Sequence, residues 1–188
     1  ANAVRLVQAC EDAAQLHLVF ETPRGAGLAP LRLLGERRLL AAPEAAQLCA
    51  QLAAALAQAG RLGLNLLDWS LWNVMSVRAG SLLPVRLFGL GLAGVLHSPR
   101  RSCVDEELWL RRGAAGYTSP ELCRLRLDPE QGDAPFRRLE AGLRGPTDVW
   151  GVGAVLHCAL LGHPPYGGAE EAEVLQRAVS VPLVVGKG

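Results

Sequence analysis

The chain has 188 residues, half of them apolar, and a formal net charge of +1. That length supports one domain with a buried core, and the near-neutral balance argues against a nucleic-acid or polyanion binder, which carries a strong basic excess. Its cysteines, Cys10, Cys49, Cys103, Cys123 and Cys158, are odd in number, widely spaced and form no C-x-x-C pair, so neither a disulfide framework nor a zinc site is expected, but reduced thiols in a cytoplasmic protein without a signal peptide.

In chain order, residues 3–9 and 15–20 are short apolar, β-branched runs joined by Glu11-Asp12, and they predict an antiparallel strand pair. Glu21-Thr22-Pro23-Arg24-Gly25 follows as a turn rich in Pro and Gly. Residues 43–60 predict a helix: Pro43 suits the first turn and Gly60 the end. Leu48, Cys49, Leu52, Ala55 and Leu56 recur at helical spacing along it. Next comes Leu66-Leu67-Asp68-Trp69-Ser70-Leu71-Trp72-Asn73, with an acid five residues before an amide. Residues 73–77 and 85–90 then pair across a connection at 78–84.

Residues 91–119 lack periodicity and carry many turn and charged residues. Residues 127–145, rich in Pro, Gly and charge, predict an exposed insertion. The apolar run 149–162 is too short to span a bilayer and contains His157, so a buried helix is expected. His157 and His163 read as core or cap histidines, since no carboxylate or Cys stands at ligand spacing. Residues 168–178 predict a final helix.

Taken together, these motifs resemble eukaryotic protein kinases. Asp68 and Asn73 fall on the Asp and Asn of the catalytic loop His-Arg-Asp-x-x-x-x-Asn, with Leu66 and Leu67 at the His-Arg positions. Val85-Arg86-Leu87-Phe88-Gly89-Leu90-Gly91-Leu92-Ala93 reads against the strand that ends in Asp-Phe-Gly-Leu-Ala. The gapless register places Gly89 at the metal-binding Asp; the alternative, matching Phe88-Gly89 to Phe-Gly, places Leu87 there. Neither supplies a carboxylate. Gly113-Ala114-Ala115-Gly116-Tyr117-Thr118-Ser119-Pro120-Glu121 resembles the end of the activation segment. Asp148-Val149-Trp150-Gly151-Val152-Gly153, with Leu160-Leu161-Gly162-His163-Pro164-Pro165-Tyr166, resembles the helix behind it.

The resemblance implies an α+β, protein-kinase-like fold: mostly the helical large lobe with the last strands of the small lobe, incomplete at both ends. Residues 1–22 would end the small lobe, 23–27 would form the hinge and 28–188 a partial large lobe. The branch that it looks most similar to is the calcium/calmodulin type, which includes the kinase domains of obscurin and trio. Phe20, Glu21, Asn73 and Met75 would stand at nucleotide-site positions, and Asn73 at a metal position. Asp68 would stand at the catalytic base, or serve as a carboxylate that orders its own loop. By the same resemblance Glu121, Asp148 and Trp150 are structural, with Asp148 receiving backbone N–H groups from the catalytic loop. Trp69 and Trp72 either occupy substrate space, or anchor a partner, or pack in the core. Leu67 stands where an arginine would pair with a phosphorylated activation loop.

A magnesium ion favours carboxylate and phosphate oxygens. With Gly89 or Leu87 at the metal position, and with no phosphate-gripping lysine in the chain, the implied role is a pseudokinase-type scaffold or allosteric domain that binds protein partners. No cofactor is expected on this reading. The alternative is a divergent ATP-dependent serine/threonine protein kinase that uses ATP and magnesium, and a third possibility is a relic fragment without a role of its own. Substrate, partner identity and oligomeric state are not readable.

Overall fold

The computed structural model describes residues 2–13, 15–21, 29–30, 39–67, 69–77, 83–89, 115–128 and 141–184. Among the described residues, two small antiparallel sheets precede and flank a set of four helices. Strands β1 (Leu6–Glu11) and β2 (Leu16–Phe20) form the first sheet, with Leu6 opposite Phe20, Glu11 opposite Leu16, and a bulge between Leu6 and Gln8. The expected pair is present, but its first strand lies later than residues 3–9. Residues 2–4 run beside the second sheet instead: Val4 donates to the Leu87 carbonyl and Leu87 to that of Asn2, each at 2.8 Å.

The second sheet orders β3 (Ala29–Pro30), β4 (Val74–Ser76) and β5 (Val85–Leu87), with Val74 opposite Leu87 and Ser76 opposite Val85. Alternation explains this hairpin: Val74, Ser76, Val85 and Leu87 face the core, while Met75 and Arg86 face the other way half-buried.

Helix α1 (Ala42–Arg61) is the framework of the core. Glu44 accepts a hydrogen bond from the Ala41 N–H at 3.0 Å at its start. Ala45, Leu48, Leu52, Ala55 and Ala59 form its buried stripe. Gly60 lies inside the helix. The left-handed residue that ends it is Gly63, at φ 68°, whose missing Cβ makes that conformation inexpensive. From the outer part of α1, Gln51 reaches the sheet, and its side-chain oxygen accepts from the Val85 N–H at 2.7 Å.

A 3₁₀ turn (Ala115–Tyr117) leads into α2 (Pro120–Leu127), which carries Pro120 in its first turn. Helix α3 (Ala141–Leu161) starts well before residue 149, so the end of the expected insertion at 141–145 is helical and Leu127 belongs to α2. Residues 129–140 of that insertion, and residues 91–114, lie outside the described residues. Helix α3 is buried on one side only: Val152, Ala154 and Val155 face α1, while Val149 is 65% exposed. The buried helix expected at 149–162 is thus buried along one face and exposed along the other, as an amphipathic surface helix is. Among the described residues no helix is long and apolar enough to cross a membrane.

Helix α4 (Glu171–Ser180) packs Val174, Leu175 and Ala178 against Cys123 and Tyr166 in a second cluster. Tyr166 stacks on Trp150, with ring centres 6.3 Å apart, and donates its hydroxyl to the Val181 carbonyl at 2.7 Å.

Truncating the centre of the α1 stripe, Leu48→Ala, is expected to cost about 2–5 kcal/mol, from lost transfer energy and the cavity left behind. The same change at Leu62, which is 70% exposed, should stay within about 0.5 kcal/mol. Urea denaturation of the two variants measures the difference.

Candidate functional site

The segment after α1 turns sharply and is held from behind by one carboxylate. Asp148, 3% exposed on α3, accepts from the Leu66 N–H at 3.0 Å, the Leu67 N–H at 2.8 Å, the Trp69 indole N–H at 2.9 Å and the Asn65 side-chain amide at 3.2 Å. A buried carboxylate is tolerated when donors surround it, and charge-assisted hydrogen bonds of this kind are the strong ones. Leu67 carries a φ of 60°, a left-handed conformation that costs a branched side chain of order 1–3 kcal/mol. The hydrogen bond that Asp148 accepts from its N–H holds it there.

Trp69 is the second fixed point. It is 3% exposed, and its ring lies where Gly151 has no side chain: a Cβ at 151 would sit 2.1 Å from the ring. Trp72, by contrast, is 47% exposed. The two tryptophans therefore divide, one packed in the core and one presented at the surface. No local signal in the sequence links Trp69 to Gly151, which are 82 residues apart in the chain.

Further along the loop, the Ser70 hydroxyl donates to the Asn73 side-chain oxygen at 2.7 Å and accepts from the Trp72 N–H at 3.2 Å. The Asn73 amide group donates to the Phe88 carbonyl at 3.4 Å, and the Phe88 N–H returns a bond to the Asn73 carbonyl at 2.8 Å. The oxygen of the Asn73 side chain is thus held within the loop by Ser70, and its amide group reaches the exit of β5. Leu87, the last residue of β5, is 1% exposed and packs in the core. Gly89 follows with φ 90°. Asp68, between Leu67 and Trp69, lies outside the described residues.

Phe20, at the end of β2, meets Phe88 edge to face with ring centres 4.6 Å apart. Glu21 receives Arg86 at 2.9 Å and Arg5 at 3.2 Å, so its carboxylate ties the two sheets together. Thr22 to Leu28, which include the expected hinge, are not among the described residues. Met75 lies half-buried in the middle of β4, opposite Arg86.

Behind the loop, Glu121 accepts from the Thr147 hydroxyl at 2.8 Å, and the Ser119 hydroxyl lies 3.2 Å from the same Thr147 oxygen. Thr147 already donates to the carboxylate, so Ser119 is the donor of this second bond. Trp150, three residues after Thr147 on α3, stacks on Tyr166. Beside it, burial pushes the Cys123 thiol up to about 12, with Glu121 adding to the shift and Arg126 and Arg124 opposing it. Burial also raises the Tyr166 phenol.

With this geometry in place, the comparisons with known proteins are direct. Residues 1–184 match the family model described as "Protein kinase domain", and the chain belongs to the protein kinase family. It is similar to MAP kinase-interacting serine/threonine-protein kinase 1 of Xenopus tropicalis, with 28% identity over 169 residues, 89% of this chain and 38% of that protein. It is also similar to Tribbles homolog 3 of Bos taurus, at 34% over 141 residues (74% of this chain, 34% of that one). Serine/threonine-protein kinase PkaB of Streptomyces coelicolor is 31% identical over 179 residues, 92% of this chain and 38% of that one. The chain thus spans well under half the length of these relatives. Its backbone also superposes on a Rad53 crystal structure solved with AMP-PNP, at a TM-score of 0.66 and 17% identity, covering 95% of this chain and 38% of that one. That likeness supports the α+β kinase fold expected from the motifs.

Asp148→Ala should cost about 3–5 kcal/mol, because each buried donor left without an acceptor costs roughly 1–3 kcal/mol. Asp148→Asn keeps one acceptor oxygen but sets an NH2 group against the donors, and should recover only part of the loss. Urea denaturation followed by the protein's tryptophan fluorescence reads both. For Cys123, a folded-state value raised from 9.0 to about 12 means stability that is complete below pH 9 and falls as pH rises towards 12. Tyr166 contributes in the same direction at higher pH. Cys123→Ala is expected to flatten the alkaline limb of a stability–pH profile.

Proposed function

We propose that this kinase-family domain does not transfer phosphate, and serves instead as a scaffold or allosteric module for protein partners in the cytoplasm. The observation that carries this reading is the chemistry at the exit of β5. Leu87 is committed to the core, and Gly89 follows it with no side-chain oxygen.

The residues present do not fit a magnesium–nucleotide complex. Phosphoryl transfer relies on charge neutralisation and positioning, and Mg²⁺ favours carboxylate and phosphate oxygens in a near-octahedral set. Here the side chain at the remaining metal position, Asn73, is neutral, and its oxygen already accepts the Ser70 hydroxyl. Ser70, which stands where a second lysine is usual in the resemblance, supplies a loop bond rather than a positive charge. Phe20, at the position that the resemblance gives to the nucleotide site, has its ring packed edge to face against Phe88. On this reading Asp68 orders its own loop, and Phe20, Glu21, Asn73 and Met75 hold the sheets and the loop together rather than a nucleotide. The half-exposed Trp72 offers a contact for a partner, since Trp is favoured at interface centres.

The names of two relatives, both serine/threonine-protein kinases, favour a second reading: a divergent ATP-dependent serine/threonine kinase. A thermal-shift measurement on the full-length protein, with ATP and with and without Mg²⁺, separates the two. A ligand that binds only the folded state must stabilise it, so the scaffold reading expects no Mg-ATP-dependent rise in Tm. A rise of several degrees, together with radiolabel passed from ATP to a peptide and lost in Asp68→Asn, would establish the kinase instead.

A further inference from the structure

We propose that Thr118 is a phosphorylation site whose phosphate is received by Arg126 of α2. Three consecutive hydroxyls stand just ahead of that helix, on Tyr117, Thr118 and Ser119, and their surroundings differ. Tyr117 is buried and donates its hydroxyl to the Cys158 sulfur at 3.3 Å. Ser119 is buried and bonded to Thr147 at 3.2 Å. Thr118 is half-buried, and its Oγ1 accepts from the Arg126 guanidinium at 3.3 Å. A modifying enzyme that reaches this turn therefore meets the hydroxyl of Thr118, while its two neighbours point into the domain.

Arg126 has the properties of a receiver. Its side chain is only 8% exposed although it carries a full charge. Nη1 meets Thr118, and Nη2 pairs with Glu171 in the first turn of α4. That ion pair fixes the planar fork, so little side-chain freedom remains to be lost when an anion joins the Nη1 side. A phosphate on Thr118 brings a charge of about −1.5 to −2 and three strong acceptor oxygens to a nitrogen that now faces a neutral hydroxyl. Charge-assisted bonds of this kind are roughly twice as strong as neutral ones. The acids on these two helices, Glu121 and Glu171, are matched by Arg124 and Arg126, so the attraction comes from the direct guanidinium contact rather than from a general positive field.

The phosphoryl donor is ATP bound to a separate serine/threonine kinase, so the step does not require this domain to be an enzyme. The bond between the γ-phosphorus and its bridging oxygen breaks, ADP leaves, Thr118 Oγ1 forms the new P–O bond, and the hydroxyl proton departs. Leu67 stands where the resemblance puts a phosphate-holding arginine and offers no such bond; Arg126 supplies one from a different helix. Through that one guanidinium the modified residue joins the 3₁₀ turn, α2 and α4 into a single network.

Two measurements on the full-length protein test this. Protein isolated from the cells that make it, with phosphatases inhibited, is mapped by tandem mass spectrometry. Phosphate is expected on Thr118; its absence there, or its presence on Tyr117 or Ser119 instead, overturns the site. Homogeneous protein with phosphothreonine encoded at position 118 then tests the receiver. In a phosphorus-31 titration the second ionisation of the phosphate, ordinarily near about 6, should fall by about one unit, because a neighbouring cation favours the dianion. Tm should rise by roughly 2–4 °C over the unmodified protein. Arg126→Gln keeps an N–H donor but no charge. In that background the ionisation should return to about 6 and the rise in Tm should vanish, each read against Arg126→Gln without phosphate so that destabilisation by the substitution cancels. An unshifted ionisation in the otherwise unaltered chain, or a shift that survives Arg126→Gln, overturns the proposal.

Discussion

Asp148 is one side chain on which two distant parts of the chain depend. It stands near the start of α3, away from water, and gathers donors from Asn65, Leu66, Leu67 and Trp69. The loop cannot keep its shape on local preferences: Leu67 sits in a backbone region that its own side chain disfavours. The buried carboxylate in turn needs those donors in place of water. Loop and helix therefore form as a unit, and α1 delivers the loop to the place where this exchange happens.

Around that centre further hydrogen bonds fasten the sheet and the loop to the core. The β4–β5 hairpin is fastened to α1 by Gln51 and to the loop by Asn73. Each of these bonds serves shape. Ser70 and Asn73, which bond to each other, satisfy the loop internally. Binding surfaces can arise on such a frame without phosphotransfer, because function resides in sites and not in the fold itself.

Much of the architecture was legible from the residues. The stripe Leu48, Leu52 and Ala55 gave α1 its period and its buried face. The alternation in Val74–Ser76 and Val85–Leu87 gave the hairpin. Ordered motifs at plausible spacings gave the family. Boundaries were less legible. Gly60 looked like the end of α1, but two further residues, Arg61 and Leu62, pass before Gly63 takes the left-handed turn. The start of α3 was hidden because Gly142, Gly145 and Pro146 are poor helix formers, and packing of the later turns overrides that weak preference. In the site, an acidic residue ahead of a Trp was readable as a holder of the loop; the donors it gathers from Asn65 and from the Trp69 indole were not, since a hydrogen bond spanning some eighty residues leaves no local mark.

Trp69 and Gly151 share one volume. An indole occupies it because a hydrogen atom stands opposite. Neither position can be altered in size without answering to the other, so drift at one must be accompanied by drift at its counterpart. The loop's history is therefore written partly in a helix far along the chain. A chain that acquired a bulkier residue at 151 would have to surrender the indole at 69, and with it one of the donors that keep Asp148 in place.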